Sequence, residues 1–520
     1  MDRKPYIIYL SCASLALFMG YLLASPFAFS TLAYAGVVAS VLVFPLMLKW
    51  HHPLLVLSWN LPVSVFFLPG QPTLWLVLAG VGLMMSILER ALKRGGALMN
   101  VPQMTWPLLV LVLVVLVTAK LTGLGLRSAG SGVYGGKNYV YLLGAVVGYF
   151  ALSFQRIPLE RAWWYIGLFF FSSCVSLFAD IIPLLPPSLY FIYNVLPVNP
   201  YALGAGGESA TGRLTGLFPL ALAVYSYLVA RYGLRGILMG DKPWRWLLLA
   251  LLLPAGMLLG GFRSELILFC LLLAVQFYLE GLHRTRLLAP LLVLGFLLAV
   301  AVVPLARHLP YTAQRTLSFL PLDVDPLARR DAEASLEWRL EMWRALWPQV
   351  GEHFWLGKGY ALSPTDFQLQ AGNNAAVRQT FAENQVLALS GNYHSGPLSV
   401  ILPFGIWGVL AVVWFFGAGI WLLVMNCRHG TEELRGINRF LLVLFGVRII
   451  FFLFVFGSLH SDMLSFCGWL GLSVSLNGGV ARPGPRPAPL ANDRKKVPPK
   501  PAAPATKRPE VIPVTTQGNS

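Results

Sequence analysis

Arg213 heads one apolar run, Arg263 sits in a tight turn between two others, and His394 comes directly before a fourth. Their types suit chemistry on anions and hydroxyls. A guanidinium offers a planar fork of donors, and an imidazole titrates near neutral pH, where it takes and returns protons. Each also has a plainer reading. An arginine at a helix end snorkels to lipid headgroups, and an interfacial histidine satisfies a carbonyl.

The element that must position them is the polar segment from Arg307 to His394, the one long polar interruption in an apolar chain. It holds nine of the 22 acidic residues, beside Arg307, Arg315, Arg329, Arg330, Arg339, Arg344, Lys358 and Arg378, and it ends in Asn392-Tyr393-His394-Ser395-Gly396-Pro397. Within it Leu336, Leu340, Trp343, Trp347 and Val350 recur at helical spacing, which predicts one apolar face. Such a stripe suits an amphipathic helix that lies on the membrane or packs on the bundle. Glu333, Glu337, Glu341 and Arg344 take the other side, and Arg339 falls between the two.

Hydrophobic residues are 57% of the chain, charged residues 12%, and the mean hydropathy is +0.66. This composition predicts an all-α polytopic membrane protein, with about 14 (12–14) helices of roughly 20 residues each. Expected spans run from Tyr6–Leu23 and Phe27–Leu48, through Leu54–Leu68 and eight more, to Leu398–Met425, Phe440–Gly457 and Met463–Leu476. The first is read as an uncleaved helix rather than a signal peptide. Cys12, Cys174, Cys270, Cys427 and Cys467 have neither disulfide-framework nor zinc spacing. The net charge of +17 collects in alternate loops, as expected of cytoplasmic ones, so nucleic acid is not an expected partner.

With a cytoplasmic N-terminus the basic connections Lys49 to His52, Glu89 to Gln103, Gln155 to Arg161, Arg231 to Arg245, Glu280 to Arg286 and Asn426 to Arg439 are inside. The loop at 306–394 is then outside; only Lys120 to Lys137 runs against the rule. Residues 1–477 form the expected membrane domain. Residues 478–520, rich in Pro, Ala, Lys and Arg, form an expected disordered cytoplasmic tail, in contact at most with membrane lipids.

Four short elements, in order over about 213–416, resemble the O-antigen ligase and O-antigen polymerase family of bacterial membrane glycosyltransferases. Arg213-Leu214-Thr215-Gly216 resembles its Arg-x-x-Gly span start, and Gly260-Gly261-Phe262-Arg263-Ser264 its arginine turn. Arg339 to Trp343, followed by Trp355-Leu356-Gly357-Lys358-Gly359-Tyr360, is similar to its outer-loop elements. His394 to Gly408 is similar to its His-led span entry. The chain departs from the family at Pro219 and Leu220, Phe262 and Ser395, where Asn, Ser and Asn are usual.

The resemblance implies a C-type glycosyltransferase-like fold in a bacterial cytoplasmic (inner) membrane, both termini inside. It implies transfer of a glycan from an undecaprenyl-diphosphate carrier to an acceptor hydroxyl of a glycan, lipid A core or protein. It places His394 as general base and Arg263 on the diphosphate, with Arg213, Arg339 and Tyr393 binding substrate. Asp366, Glu383 and Glu352 are back-up bases. No cofactor or metal is expected, although Asp323-Val324-Asp325 has a spacing that could hold magnesium. The alternative is a transporter or lipid flippase, whose marks would be a midplane charge such as Arg448 and repeated halves; no repeat is visible.

Overall fold

The computed structural model describes residues 29–68, 70–92, 101–125, 135–196, 213–362 and 391–483, with a few isolated positions besides. Among them the chain is helical, with one isolated β-bridge, Ser64 to Thr73. The helices are α1 (Phe29–Ser58), α2 (Leu74–Leu92), α3 (Pro102–Thr122), α4 (Lys137–Ser153), α5 (Leu159–Leu184), α6 (Leu217–Leu238) and α7 (Trp244–Leu259). After them come α8 (Arg263–Leu279), α9 (Leu288–Leu305), α10 (Tyr311–Leu317), α11 (Pro326–Glu352), α12 (Gly396–His429), α13 (Arg435–Phe454) and α14 (Leu459–Asn477). Seven helices among the described residues are long and apolar enough to cross a membrane. The chain is an all-α polytopic membrane protein.

Small residues let the helices approach, as they must where lipid gives no hydrophobic drive to pack. A Cβ on Gly468 would lie 2.1 Å from Trp59 Nε1, and one on Gly419 would lie 2.5 Å from Phe445. Around these contacts Phe415, Phe416, Phe445, Phe452 and Phe466 pack largely edge to face between α12, α13 and α14.

The segment Leu54–Leu68 is not a helix of its own. Residues 54–58 end α1, which runs on through Lys49-Trp50-His51-His52 where a loop was expected, and residues 59–68 and 70–73 are non-helical. Hydropathy sees the same apolar run in both cases. The backbone of this stretch is satisfied from outside it and by its own turn, Ser64 N–H donating to Val195 O and Val65 N–H to Pro72 O, both at 2.8 Å.

Helix ends that the charge pattern assigns to one side meet on one side. Gln155 donates to Glu89 (2.7 Å) and contacts His51, the buried His52 contacts Leu152 O, and Ile157 N–H donates to Ser475 O. At the far ends of the same helices, Tyr360 N–H donates to Tyr139 Oη at 2.8 Å, and Tyr139 Oη contacts Thr122.

The first compact unit ends at Arg482, not at residue 477. Asn426 accounts for the difference, since its Oδ1 accepts from Ala481 N–H (2.8 Å) and its Nδ2 donates to Gly479 O (3.4 Å). The expected tail from residue 484 on and the expected span Tyr6–Leu23 fall almost wholly outside the described residues.

Two features shape the large polar loop. In α12, Gly405 (φ 61°, ψ −160°) breaks the helix beside Pro403. The amide and carbonyls freed by the break must be paired, and the loop pairs them. Ile406 N–H donates to Phe354 O (2.7 Å), Lys358 N–H to Leu402 O (2.8 Å) and Gly359 N–H to Pro403 O (3.0 Å). Glycine is needed there because a Cβ on Gly357 would lie 2.1 Å from Pro403 O, and one on Gly359 2.1 Å from Thr122 Oγ1.

The second feature is α11, whose helical period is as expected but whose inward face is not. Ala328, Ala332, Met342 and Leu346 are buried, whereas Leu336 is 52% and Trp347 70% exposed. The helix is turned by about a quarter of a turn from the expected stripe. This brings Arg339 onto the inward face and leaves Leu336, Leu340 and Trp347 outward, as a helix on a membrane surface would have them, while Trp343 and Val350 stay half-buried against the inner cluster.

Candidate active site between the arginine turn and the polar loop

Phe262 leaves the turn extended, so that Arg263 opens α8. Arg263 Nη2 donates to Ala332 O of α11 at 2.5 Å, joining the membrane helix to the loop helix. Arg315, from α10, donates from Nη1 to Gly261 O (3.3 Å), and its Nε lies 2.5 Å from Asp331 Oδ2. Arg213 is buried against the other side of the turn. A Cβ on Gly261 (φ 76°) would lie 2.8 Å from Arg213 Cδ, and the guanidinium is 5.4 Å from the Phe262 ring centroid.

Arg339 lies within electrostatic reach of Arg263 and Arg315. Burial, and then those two charges, press its pKa below the usual arginine value, and its buried Nε has no hydrogen-bond partner. A guanidinium remains charged under such pressure. Among the described residues these three mutually repelling arginines have one neighbouring carboxylate, Asp331, an arrangement suited to an anion.

His394 stands in the left-handed region (φ 49°), uncommon for a residue with a side chain. Its ring packs edge to face on Trp338 of α11 (centroids 5.2 Å) and on Phe456 beyond α13 (4.9 Å). Burial first, then the Arg339 charge, push the imidazole pKa down to about 4, and Nδ1 is buried without a hydrogen-bond partner. At neutral pH the ring is therefore neutral, with an sp² nitrogen able to accept a proton.

Of the residues expected from sequence, Arg263, Arg339 and His394 come together, and Arg213 joins them from behind the turn. Tyr393 does not fit its expected role of presenting a face to sugar. Its ring is 1% exposed, packed with Met342, Leu346, Leu398 and Leu402, and Lys358 Nζ lies 5.5 Å from its centroid. Its carbonyl accepts from Trp343 Nε1 (2.8 Å), which ties the chain before His394 to α11. Glu352 is exposed at the end of α11, while Asp366 and Glu383 lie outside the described residues.

Asp323 and Asp325 do not act together. Asp323 pairs with Arg307 (2.7 Å), and Asp325 caps α11 by accepting from Leu327 N–H (2.8 Å). Sequence reasoning missed Arg315 and Asp331 as site residues. The one available signal was that two turns of α11 separate Asp331 from Arg339 on the face that carries Ala328 and Ala332.

The site's components from the arginine turn to His394 all lie in one stretch of chain. Residues 247–413 match the family described as O-antigen ligase. The match supports the family expected from the motifs, and it spans the arginine turn, α9, the large polar loop and the break in α12. Arg213 and Gly216 precede the matched segment. Among curated proteins none matches the chain. The match supports an O-antigen ligase-type function in general, in keeping with the membrane helices.

Proposed function

We propose that this protein moves a glycan from an undecaprenyl-diphosphate carrier to an acceptor hydroxyl at the outer face of the cytoplasmic membrane. The observation that carries the proposal is the meeting of Arg263, Arg315 and Arg339 beside a neutral His394. The acceptor oxygen bonds to the anomeric carbon as the bond from that carbon to the diphosphate oxygen breaks. The hydroxyl proton passes to His394, and the lipid diphosphate leaves with the electron pair.

Arg263 and Arg339 face the charge that grows on the leaving group, with Arg213 supporting the turn from which Arg263 projects. No divalent metal takes part, because guanidinium groups supply the positive charge. The acceptor is a glycan, a lipid A core or a protein. In this reading both the basic connections and the C-terminal tail are cytoplasmic, and the chain sits in a bacterial inner membrane.

Proteoliposomes loaded with lipid-linked glycan and acceptor, in excess chelator, test the proposal. Transfer is expected to persist in chelator and to fall about 10²- to 10³-fold in both Arg263→Ala and Arg263→Lys, since a point charge does not reproduce the fork. Transfer that depends on added magnesium, or that survives Arg263→Ala, would count against it.

A further inference from the structure

Among the described residues Asp331 is the one carboxylate beside Arg263, Arg315 and Arg339, and it meets them without using their donors. Arg315 Nε lies 2.5 Å from Asp331 Oδ2, yet among the described residues neither that N–H nor the Nε–H of Arg339 has a hydrogen-bond partner. The carboxylate therefore balances charge and leaves the donors open. Nor does it set where the guanidinium groups lie, since Arg263 is held by Ala332 O (2.5 Å) and Arg315 by Gly261 O (3.3 Å). The Asp331 side chain is 41% exposed against 12% for Arg315, so the negative charge comes to the arginines from the side open to water. Its field reaches Arg263 as well.

We propose that Asp331 governs product release: it balances the arginines while the site is empty and repels the lipid diphosphate that transfer leaves behind, an inference that rests on the donor reading above. A carrier loaded with glycan has no terminal phosphate. Once the glycan has left, the newly terminal phosphate loses a second proton at about pH 6, so at neutral pH the spent carrier is more negative than the donor was. Three arginines alone would hold this product more tightly than the donor, and turnover would stall on it. A fixed carboxylate opposes the more highly charged ligand more strongly. If Asp331 merely tied α10 to α11, its loss would loosen Arg315 and weaken binding, which is a change of the opposite sign.

The Kd of undecaprenyl diphosphate is measured on full-length protein in nanodiscs, for the unaltered chain, Asp331→Asn and Asp331→Ala, the last placing a good helix former in α11. Both variants should bind it about tenfold more tightly, less than a buried like-charge contact would give because Asp331 is partly open to water. Transfer by them should begin with a burst of about one glycan per protein, and later turnovers should be about tenfold slower than the first. Binding that is weaker or unchanged in the variants would overturn the proposal. On the unaltered chain, without acceptor, the spent carrier should bind within about threefold of the loaded donor; a much tighter hold on the spent carrier would overturn it equally. Arg263→Ala separates the two readings. If it binds undecaprenyl diphosphate as tightly as the unaltered chain, the donor reading itself fails. If it loses binding while the Asp331 variants gain none, only the role of Asp331 is wrong.

Discussion

Ile406 and Phe354 are joined by a 2.7 Å hydrogen bond in which a membrane helix gives its amide to the large polar loop. In an unbroken helix the Ile406 amide would reach Leu402 O, which here accepts from Lys358 instead. The loop is thus stitched into the break of α12, close in sequence to His394, and the geometry of the proposed site depends on the break.

Gly405→Ala tests the stitch. Its φ and ψ fall where side chains are rarely tolerated, and a Cβ would lie 2.6 Å from Trp355 O. Strain of this kind costs about 1–3 kcal/mol, and the contact adds to it. The expected outcome is a lower melting temperature in detergent and faster proteolysis of the large polar loop, with transfer reduced in parallel. Wild-type protease resistance would contradict the role given to the break.

The pH profile of transfer should carry the mark of Arg339. His394 works as a base only when neutral, so activity falls as pH drops through its pKa, which burial and Arg339 hold near 4 in the free protein. The acid limb of kcat/KM is therefore expected near pH 4. A bound diphosphate offsets the Arg339 charge and favours imidazolium, so the acid limb of kcat should lie at higher pH. Arg339→Gln should move the kcat/KM limb upward as well. A limb of kcat/KM that does not respond to Arg339→Gln would show that the charge does not reach the base.

Arg448 is the charge that a transporter reading would place at the membrane's middle, and here it has a partner. Its Nη2 meets Asp462 Oδ1 at 2.5 Å, and Asp462 Oδ2 accepts from Ser458 N–H (2.8 Å), closing the turn between α13 and α14. Removing one member of such a mostly buried pair costs about 3 kcal/mol, whereas removing both is tolerated better. Arg448→Ala should lower folded yield in membranes, and the double change Arg448→Met with Asp462→Leu should restore much of it. A well-folded Arg448→Ala protein, with transfer abolished, would point to a functional charge instead.

Hydropathy and helical period disclosed the membrane helices and the loop helix, and four short motifs led to the arginine turn and His394. The inward face of α11 was not legible. In a soluble protein Leu336, Leu340 and Trp347 would face the core, but at a membrane surface large apolar residues have another apolar partner. Close packing there falls to small ones such as Ala328 and Ala332. Tyr393 was misread because an aromatic beside a candidate base looks alike in sequence whether its ring meets sugar or Leu402. Arg315 was hidden among the loop's other cations, since its value comes from a carbonyl at Gly261, distant in sequence. The non-helical passage after Ser58 escaped notice because its polar backbone is paired by Val195 and Pro72, which hydropathy does not register.

The most direct measurement is glycan transfer by His394→Ala protein, normally inserted, in vesicles that contain lipid-linked donor and acceptor. Loss of a general base costs about 10²- to 10⁴-fold, so transfer should fall by that factor while the lipid-linked donor remains unconsumed. Transfer by His394→Ala within tenfold of the unaltered protein would contradict the assignment of His394 as the base, and with it the active site described above.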